Sequence, residues 1–195
     1  VKAVMIHSAQ PVKTDAASAY LERYPNPQSG YGRVDLSSAL AFPDSGFQTI
    51  FEDYHMVAQG NTLSFCFFVQ QHSPRPYIGT PASQGEMRVS LVWTDPAGDP
   101  MSSRILINDL DLQVFAEGTE AYLGNDLTQS DQSHTGYKVR DSNGNAEQVR
   151  IKDAPQGLYM ARVLGIDVPV GPQSFALVAS AAQISPRPLS DCQSA

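Results

Sequence analysis

The stretch Met87-Arg-Val-Ser-Leu-Val-Trp-Thr94 alternates apolar side chains with side chains that are mostly polar. Successive side chains of a β-strand point to opposite faces, so this pattern predicts a strand with one buried face. Trp93 continues the apolar face, and we expect it to pack in the core. Further short runs of strand character occupy residues 47–53, 63–68, 109–114, 120–123, 148–151, 159–163 and 175–179.

Turn-rich segments separate these runs, and no helical patterns alternate with them. This order is typical of an antiparallel β-sandwich or jelly roll and not of a parallel sheet. We therefore predict a mainly β fold of about eight or nine strands. The β-sandwich domain is expected to span residues 46–182, and the Pro-containing stretch 183–195 is expected to be a disordered tail.

The first 42 residues have a different pattern and are predicted to be a separate, short helical unit. Val1, Val4 and Met5 recur at helical spacing, which predicts an amphipathic helix that ends before Pro11. Asp35 is placed to cap a second short helix by accepting an early backbone N–H. The apolar face of the first helix needs a partner, and without one we expect this segment to be loosely held.

Composition excludes several classes of protein. The chain has 195 residues, of which 42% are hydrophobic, enough to bury one substantial core. No run approaches the roughly 18 apolar residues of a membrane span, and the N-terminus lacks the pattern of a signal peptide. A net charge of -7 argues against nucleic acid as a partner, because phosphate-backbone binders carry clustered Lys and Arg.

The two cysteines lie far apart in the sequence. Cys66 belongs to an apolar strand-like run, whereas Cys192 belongs to the tail. We expect a buried inert thiol and a tail thiol, with neither a disulfide scaffold nor a Cys-rich zinc site.

Residues suited to nucleophilic catalysis are not paired. His7 and Ser8 are neighbours on a predicted helix and point about 100° apart, so we expect a structural role for His7. His55, His72 and His134 lack the neighbouring ligands of a recognisable zinc site. By itself the chain is expected to be inactive as a hydrolase.

Carboxylates are the stronger indication of a site. Asp109 and Asp111 are two apart in a strand and so project from the same face. Asn125 and Asp126 follow at a turn, and Asp141 lies in the polar loop beyond. Hard oxygen donors of this kind are preferred by calcium, so these five residues are the predicted calcium ligands. The alternative is a solvated acidic strand face with Asx turns.

Aromatic side chains suggest a second kind of function. Tyr77, Tyr122, Tyr137 and Trp93 would suit a β-sandwich module that stacks sugars on exposed rings. The core position predicted for Trp93 weakens this alternative, which is an independent module that binds carbohydrate or protein.

Four short segments of the predicted sandwich are distinctive: Leu91-Val-Trp-Thr-Asp-Pro96, Asn108-Asp-Leu-Asp-Leu112, Gly124-Asn-Asp126 and Val168-Pro-Val-Gly-Pro-Gln173. Two further stretches precede the sandwich: Val1-Lys-Ala-Val-Met-Ile-His-Ser-Ala9 and Gly30-Tyr-Gly-Arg-Val-Asp-Leu36. With these segments the chain resembles the C-terminal part of a subtilisin-like serine protease (peptidase S8 family), in the branch whose catalytic domain precedes a β-sandwich domain. The two N-terminal stretches resemble the end of that catalytic domain.

This resemblance implies that residues 1–42 end a catalytic domain whose Asp, His and Ser all lie upstream of Val1, since the family's Gly-Thr-Ser-Met-Ala motif is absent here. The chain would then be a non-catalytic module that stabilises the catalytic domain and borders its substrate cleft. Its implied partners are that domain, in the same polypeptide, and the protein or peptide substrates of the parent protease. The resemblance also implies a secreted or extracytoplasmic location, and some members of the branch bind calcium in the β-domain.

Overall fold

The computed structural model of the chain describes residues 1–10, 12, 25–26, 28–39, 47–70, 85–127, 133–135 and 140–193. Strands in these ranges form two antiparallel sheets, which confirms the predicted β-sandwich. The strands are β1 (Gln48–Val57), β2 (Thr62–Gln70), β3 (Met87–Trp93), β4 (Asp109–Ala116), β5 (Tyr122–Leu127), β6 (Ser133–Thr135), β7 (Ala146–Ile151), β8 (Gly157–Asp167), β9 (Gln173–Ala181) and β10 (Gln183–Arg187). The helices are α1 (Lys2–Ser8), α2 (Leu36–Ala39) and α3 (Leu189–Gln193).

The four-stranded sheet has the order β1-β9-β3-β7, and the six-stranded sheet has the order β10-β2-β8-β4-β5-β6. The sequence pattern missed β6 and β10. β6 has three residues, too few to show a period. β10 contains Pro186, which is tolerated because this strand lies at the edge of its sheet.

The core lies between the sheets and is built from the alternating residues of the central strands. Leu91 of β3 and Leu112 of β4 are 0% and 1% exposed. Trp93 is 2% exposed, and its Nε1 donates a hydrogen bond to Asn108 O at 3.0 Å, which confirms the predicted core position. A buried indole normally finds such a partner for its N–H.

Three of the segments on which the family resemblance rests meet at one end of the sandwich: residues 91–96, 108–112 and 168–173. The Asn108 side-chain amide donates to Val170 O and to Gln173 Oε1, and its oxygen accepts from the Val170 backbone N–H. The Asp95 carboxylate accepts the backbone N–H groups of Ile107 and Asn108 at 2.8 and 2.7 Å. These bonds satisfy buried backbone groups between the strands, so the three segments have a structural role.

The N-terminal helix packs on the outer face of the four-stranded sheet. Ala3 of α1 joins a buried cluster with Val92, Ala146 and Val178. Val1 stays fully exposed. The apolar face of the helix therefore has a partner in the sandwich, and the expectation of a loosely held segment stays a prediction.

The second helix begins as the sequence indicated. The Asp35 carboxylate accepts the backbone N–H of Ser37 at 3.0 Å, as an N-cap does. Backbone bonds between Gln10 and Arg33 join the stretch after α1 to the stretch before α2. The predicted boundaries at residues 42 and 46 lie outside the described residues.

Cys66 and Cys192 form a disulfide, so the prediction of two separate thiols was wrong. The predicted disordered tail was also wrong over residues 183–193, which form β10 and α3. β10 pairs with β2 so that Arg187 lies opposite Cys66, and α3 then brings Cys192 to a Cα–Cα distance of 5.9 Å from Cys66. The cysteines are 126 residues apart, and only this strand pairing brings them together.

Candidate functional site

The acidic site forms where β4 and β5 separate at the edge of the sandwich. β4 pairs with β8 along its length but with β5 only at Gln113 and Val114. The next backbone N–H, that of Leu112, donates instead to Glu147 Oε2 at 2.6 Å. Glu147 belongs to β7, so a carboxylate of the four-stranded sheet completes the hydrogen bonding of the six-stranded sheet.

Glu147 is 2% exposed and shares the face of β7 that carries Val149 and Ile151. Burial raises the pKa of the Glu147 carboxyl well above its usual range, and nearby Asp111 raises it further. The hydrogen bond from Leu112 opposes both effects. Glu147 was not among the predicted site residues. The sequence signal for it was an acidic residue that shares the two-residue period of the core residues Val149 and Ile151.

Glu147 also explains the glycine of the Gly124-Asn-Asp126 segment. A Cβ atom placed on Gly124 would lie 2.2 Å from Glu147 Oε2, well inside contact distance. A side chain at position 124 would therefore displace the carboxylate from the β4 backbone.

Asp109 and Asp111 lie side by side on the outer face of β4, as the strand period predicted. They are 2% and 3% exposed, so they are not a solvated acidic face. Arg140 contacts both, with its Nε 3.0 Å from Asp111 Oδ2 and its Nη2 3.7 Å from Asp109 Oδ2. Arg104 Nη2 lies 3.4 Å from Asp109 Oδ2.

Burial raises the pKa of Asp111 to about 6, against the attraction of Arg140. Burial likewise raises the pKa of Asp109, and Arg140 and Arg104 oppose this shift. The Oδ1 atoms of both aspartates are buried without a hydrogen-bond partner. Two acids are thus held by cations on one oxygen each, while the other oxygens remain available as acceptors.

Asn125 connects this region to the rest of the chain. Its φ of 58° turns the backbone, and its side chain donates to Ala146 O at 2.9 Å and to Asp141 Oδ2 at 2.7 Å. Its Oδ1 accepts the backbone N–H of Gln148 at 3.0 Å. The Tyr31 hydroxyl lies 3.1 Å from the same Oδ1, which ties the N-terminal part of the chain to the sandwich.

An open cleft of about 640 Å³ borders these residues. Arg104 and Arg140 stand in its wall with side chains 48% and 43% exposed, and Asp109, Asn143 and Asp167 also line it. The pair between Arg104 and Asp167 is exposed and contributes little to stability. The cleft therefore presents both cationic hydrogen-bond donors and anionic hydrogen-bond acceptors.

The five predicted calcium ligands fall into two groups. Asp109 and Asp111 share Arg140, whereas Asn125 bonds to Asp141, and Asp126 follows Asn125 on β5. In the described ranges, no group of three or more His, Cys, Asp or Glu side chains is arranged to hold a metal ion. The fit is partial, because arginines supply the countercharge while two buried Oδ1 atoms lack partners. Calcium binding stays a prediction.

A second buried network lies under α1. His7 Nδ1 is 2.9 Å from Ser90 Oγ, and its Nε2 is 2.7 Å from Ser180 Oγ. Arg88 donates to the backbone oxygens of His7 and Ala9. His7 and Ser90 are 3% and 0% exposed, so the histidine holds the helix in place, as its predicted structural role requires.

Charges surround His7 on the outer face of the sheet. Glu86 Oε1 lies 2.9 Å from Arg88 Nη2 and 2.7 Å from Arg150 Nε. Burial alone would raise the pKa of Glu86, but the two guanidiniums outweigh it and lower that pKa to about 2. Burial lowers the pKa of His7 well below its usual value, and Arg88 adds to the effect. His7 is therefore neutral.

Of the rings named for sugar stacking, the two that the structure describes do not form an exposed stacking surface. Trp93 is in the core, and Tyr122 is half-buried against it. Tyr77 and Tyr137 lie outside the described residues.

No family model matches the chain. It is 30% identical over 189 residues to the serine protease/ABC transporter B family protein tagA of Dictyostelium discoideum, over 91% of this chain and 9% of that protein. It is 25% identical over 123 residues to tagB, the similarly named protein of the same organism, over 63% of this chain and 6% of that protein. The chain thus spans less than a tenth of the length of these relatives and is similar to proteins whose names include a serine protease.

A crystal structure of a protein from Sulfurospirillum deleyianum aligns with a TM-score of 0.34 and 6% identity, over 68% of this chain and 96% of that chain. A likeness of this size carries no argument. Among the described residues, no helix has the length and apolar character needed to cross a membrane.

Proposed function

We propose that the chain is a non-catalytic module of a subtilisin-like serine endopeptidase, which stabilises the catalytic domain and borders its substrate cleft. The observation that carries this proposal is the attachment of both catalytic-domain-like segments to the sandwich. His7 of the first segment bonds to Ser90 and Ser180, and Tyr31 of the second bonds to Asn125. A catalytic domain that ended in these segments would be held to the sandwich at two separate points.

The chemistry of the described residues supports a non-catalytic role. The one close serine and histidine arrangement, His7 between Ser90 and Ser180, lies beneath α1 with the ring 3% exposed. A nucleophile and its base must both be reachable by the substrate. Ser90 is wholly buried, and Ser180, although partly exposed, bonds to the buried His7 ring. This arrangement serves packing.

The disulfide supports a location outside the reducing cytosol. Cys66 and Cys192 are the only cysteines of the chain, and they are bonded to each other. Structural disulfides persist in oxidising compartments and are rare in the cytosol. We infer that the protein matures in such a compartment, in keeping with a secreted or extracytoplasmic protease.

The proposal is tested in the gene and then in the protein. The reading frame upstream of Val1 is expected to encode a segment with the Gly-Thr-Ser-Met-Ala motif, and its absence would overturn the proposal. In the whole polypeptide, Tyr31→Phe removes the hydroxyl that bonds to Asn125 Oδ1 and to Ala146 O. Losing a buried hydrogen bond of this kind costs about 1 kcal/mol, so we expect peptidase activity to be lost several-fold faster on heating.

Tyr54→Phe is the matched control, because Tyr54 is 93% exposed. Its rate of heat inactivation is expected to equal that of the wild type. Equal rates for all three proteins would remove the stabilising role. The isolated chain should hydrolyse no peptide, and a fluorophosphonate probe should leave every serine unlabelled.

A further inference from the structure

We propose that α1 is a pH-sensitive latch: protonation of His7 releases the helix from the outer face of the four-stranded sheet while the sandwich stays folded. The latch is a property of the described chain and does not depend on the proposed function.

The neutral ring fits its site in the closed state. A neutral imidazole has one donor and one acceptor nitrogen, and a serine hydroxyl can play either part. Ser90 and Ser180 each take one nitrogen, at 2.9 and 2.7 Å, and Gln148 Nε2 donates to Ser90 Oγ at 2.9 Å. The ring thereby joins α1 to β3 and β9.

A second proton on the ring would place a further positive charge in a buried, already cationic site. The charged groups that face His7 are Arg88 on β3, Arg150 on β7 and Glu86 just before β3. Neither β9, which supplies Ser180, nor α2 carries a charged residue. With Glu86 ionised, these groups sum to +1, and protonated His7 raises the sum to +2. A charge buried without a partner is costly, so the protonated ring favours water.

The helix is the element that yields. α1 has seven residues, and its Ala3, Val4 and Ile6 pack against a separate small cluster formed by Val92, Ala146 and Val178. None of these residues belongs to the main core, which lies on the other side of the sheet. Helix release therefore uncovers only this small outer cluster and leaves the sandwich core intact.

The sign follows from the direction of the His7 shift. Because the folded-state pKa is depressed, its contribution to docking is fully present above about pH 6.5, the value for a solvated histidine, and is lost as pH falls below it. If only the released helix binds the proton, the opening equilibrium constant rises about thirtyfold between pH 7.5 and 5.0.

Native-state hydrogen exchange of the α1 amides, corrected for intrinsic rates, measures this constant. In the wild type we expect the thirtyfold rise for Met5 and Ala9, whose N–H groups are bonded within the helix and its cap. Amides of β8, far from His7, should not show it. A constant protection of α1 across this range would overturn the latch.

Two variants separate the latch from general acid effects. His7→Gln cannot take a proton and should make α1 opening independent of pH. His55→Gln, at a part-exposed histidine paired with Glu52, should keep the wild-type rise. A rise that persists in His7→Gln would overturn the proposal.

If His7→Gln releases the helix at every pH, the proposal is tested on the His7 ring of the wild type by NMR. Its NMR resonances should report protonation only in step with α1 opening. Titration of the ring while α1 stays protected would contradict the latch.

Discussion

The chain contains two clusters of buried charged groups. Basic groups are in excess in one cluster, and acidic groups are in excess in the other. The outer-face cluster, His7 with Glu86, Arg88 and Arg150, has more bases than acids, and its histidine is held neutral. The edge cluster, which contains Glu147, Asp109, Asp111, Asp141 and Arg140, has more acids than bases, and burial raises the pKa values of Glu147, Asp109 and Asp111. In each cluster, the group that carries the minority charge determines the free-energy cost of burying the like-charged groups around it.

This difference shows that similar burial leads to opposite pH responses. Lowering the pH places a further charge in the outer-face cluster but removes charge from the edge cluster. The two regions are therefore expected to respond in opposite directions in one molecule, and four experiments test this comparison.

The largest effect is expected for Glu86→Gln. Glu86 contacts both Arg88 and Arg150, and its loss removes a countercharge that these two buried guanidiniums share. Breaking a buried pair in this way costs about 3–5 kcal/mol. Urea unfolding at pH 7 measures the loss, and Glu147→Gln is the matched control, because burial disfavours the charged form of that carboxyl. Equal losses in the two variants would end the distinction between the clusters.

The next effect is that of calcium on the edge cluster. If calcium uses the two partnerless Oδ1 atoms, a hundredfold excess over Kd adds about 2.7 kcal/mol to the free energy of unfolding, seen as a rise of several degrees in Tm. Asp111→Asn should remove most of this rise, and magnesium should produce less of it. If the Tm of metal-stripped protein does not change with millimolar calcium, Arg104 and Arg140 are the countercharges of the two aspartates and the calcium prediction is wrong.

Gly124→Ala tests the geometry of the edge cluster. The new methyl group would overlap Glu147 Oε2 and push it from Leu112 N, so we expect a loss of about 2 kcal/mol in urea unfolding. Gly157→Ala is the control, since a Cβ there has nothing within 4 Å. A loss no larger than that of the control would show that the Glu147 contact is dispensable.

The smallest effect is the pH dependence of global stability. The raised pKa values of Glu147 and Asp111 add stability that is present below their unfolded values, near pH 4, and is lost as pH rises through about 6 for Asp111. Each group contributes a slope of at most about 1.4 kcal/mol per pH unit. Glu147→Gln should flatten the profile measured by urea unfolding from pH 4.5 to 8. An unchanged slope would assign the pH dependence to other groups.

The candidate site was predictable only in part. The two-residue spacing of Asp109 and Asp111 placed them correctly on one strand face, but a solvated face and a buried one have the same period. Arg140 stands beside Asp141 in the sequence, and nothing local indicated that it contacts β4. Glu147 was hidden because its role depends on the separation of β4 from β5, which is a property of the whole sheet.

The sequence by itself determined the sandwich, the core position of Trp93 and the cap at Asp35, because period and capping are set by neighbouring residues. Only the tertiary structure decided that Cys66 bonds to Cys192, that Glu147 completes β4 and that His7 is buried beside arginines. Each of these depends on which strands become neighbours. Strand order is set by the best burial of all apolar faces together, and so no local stretch of the chain contains it.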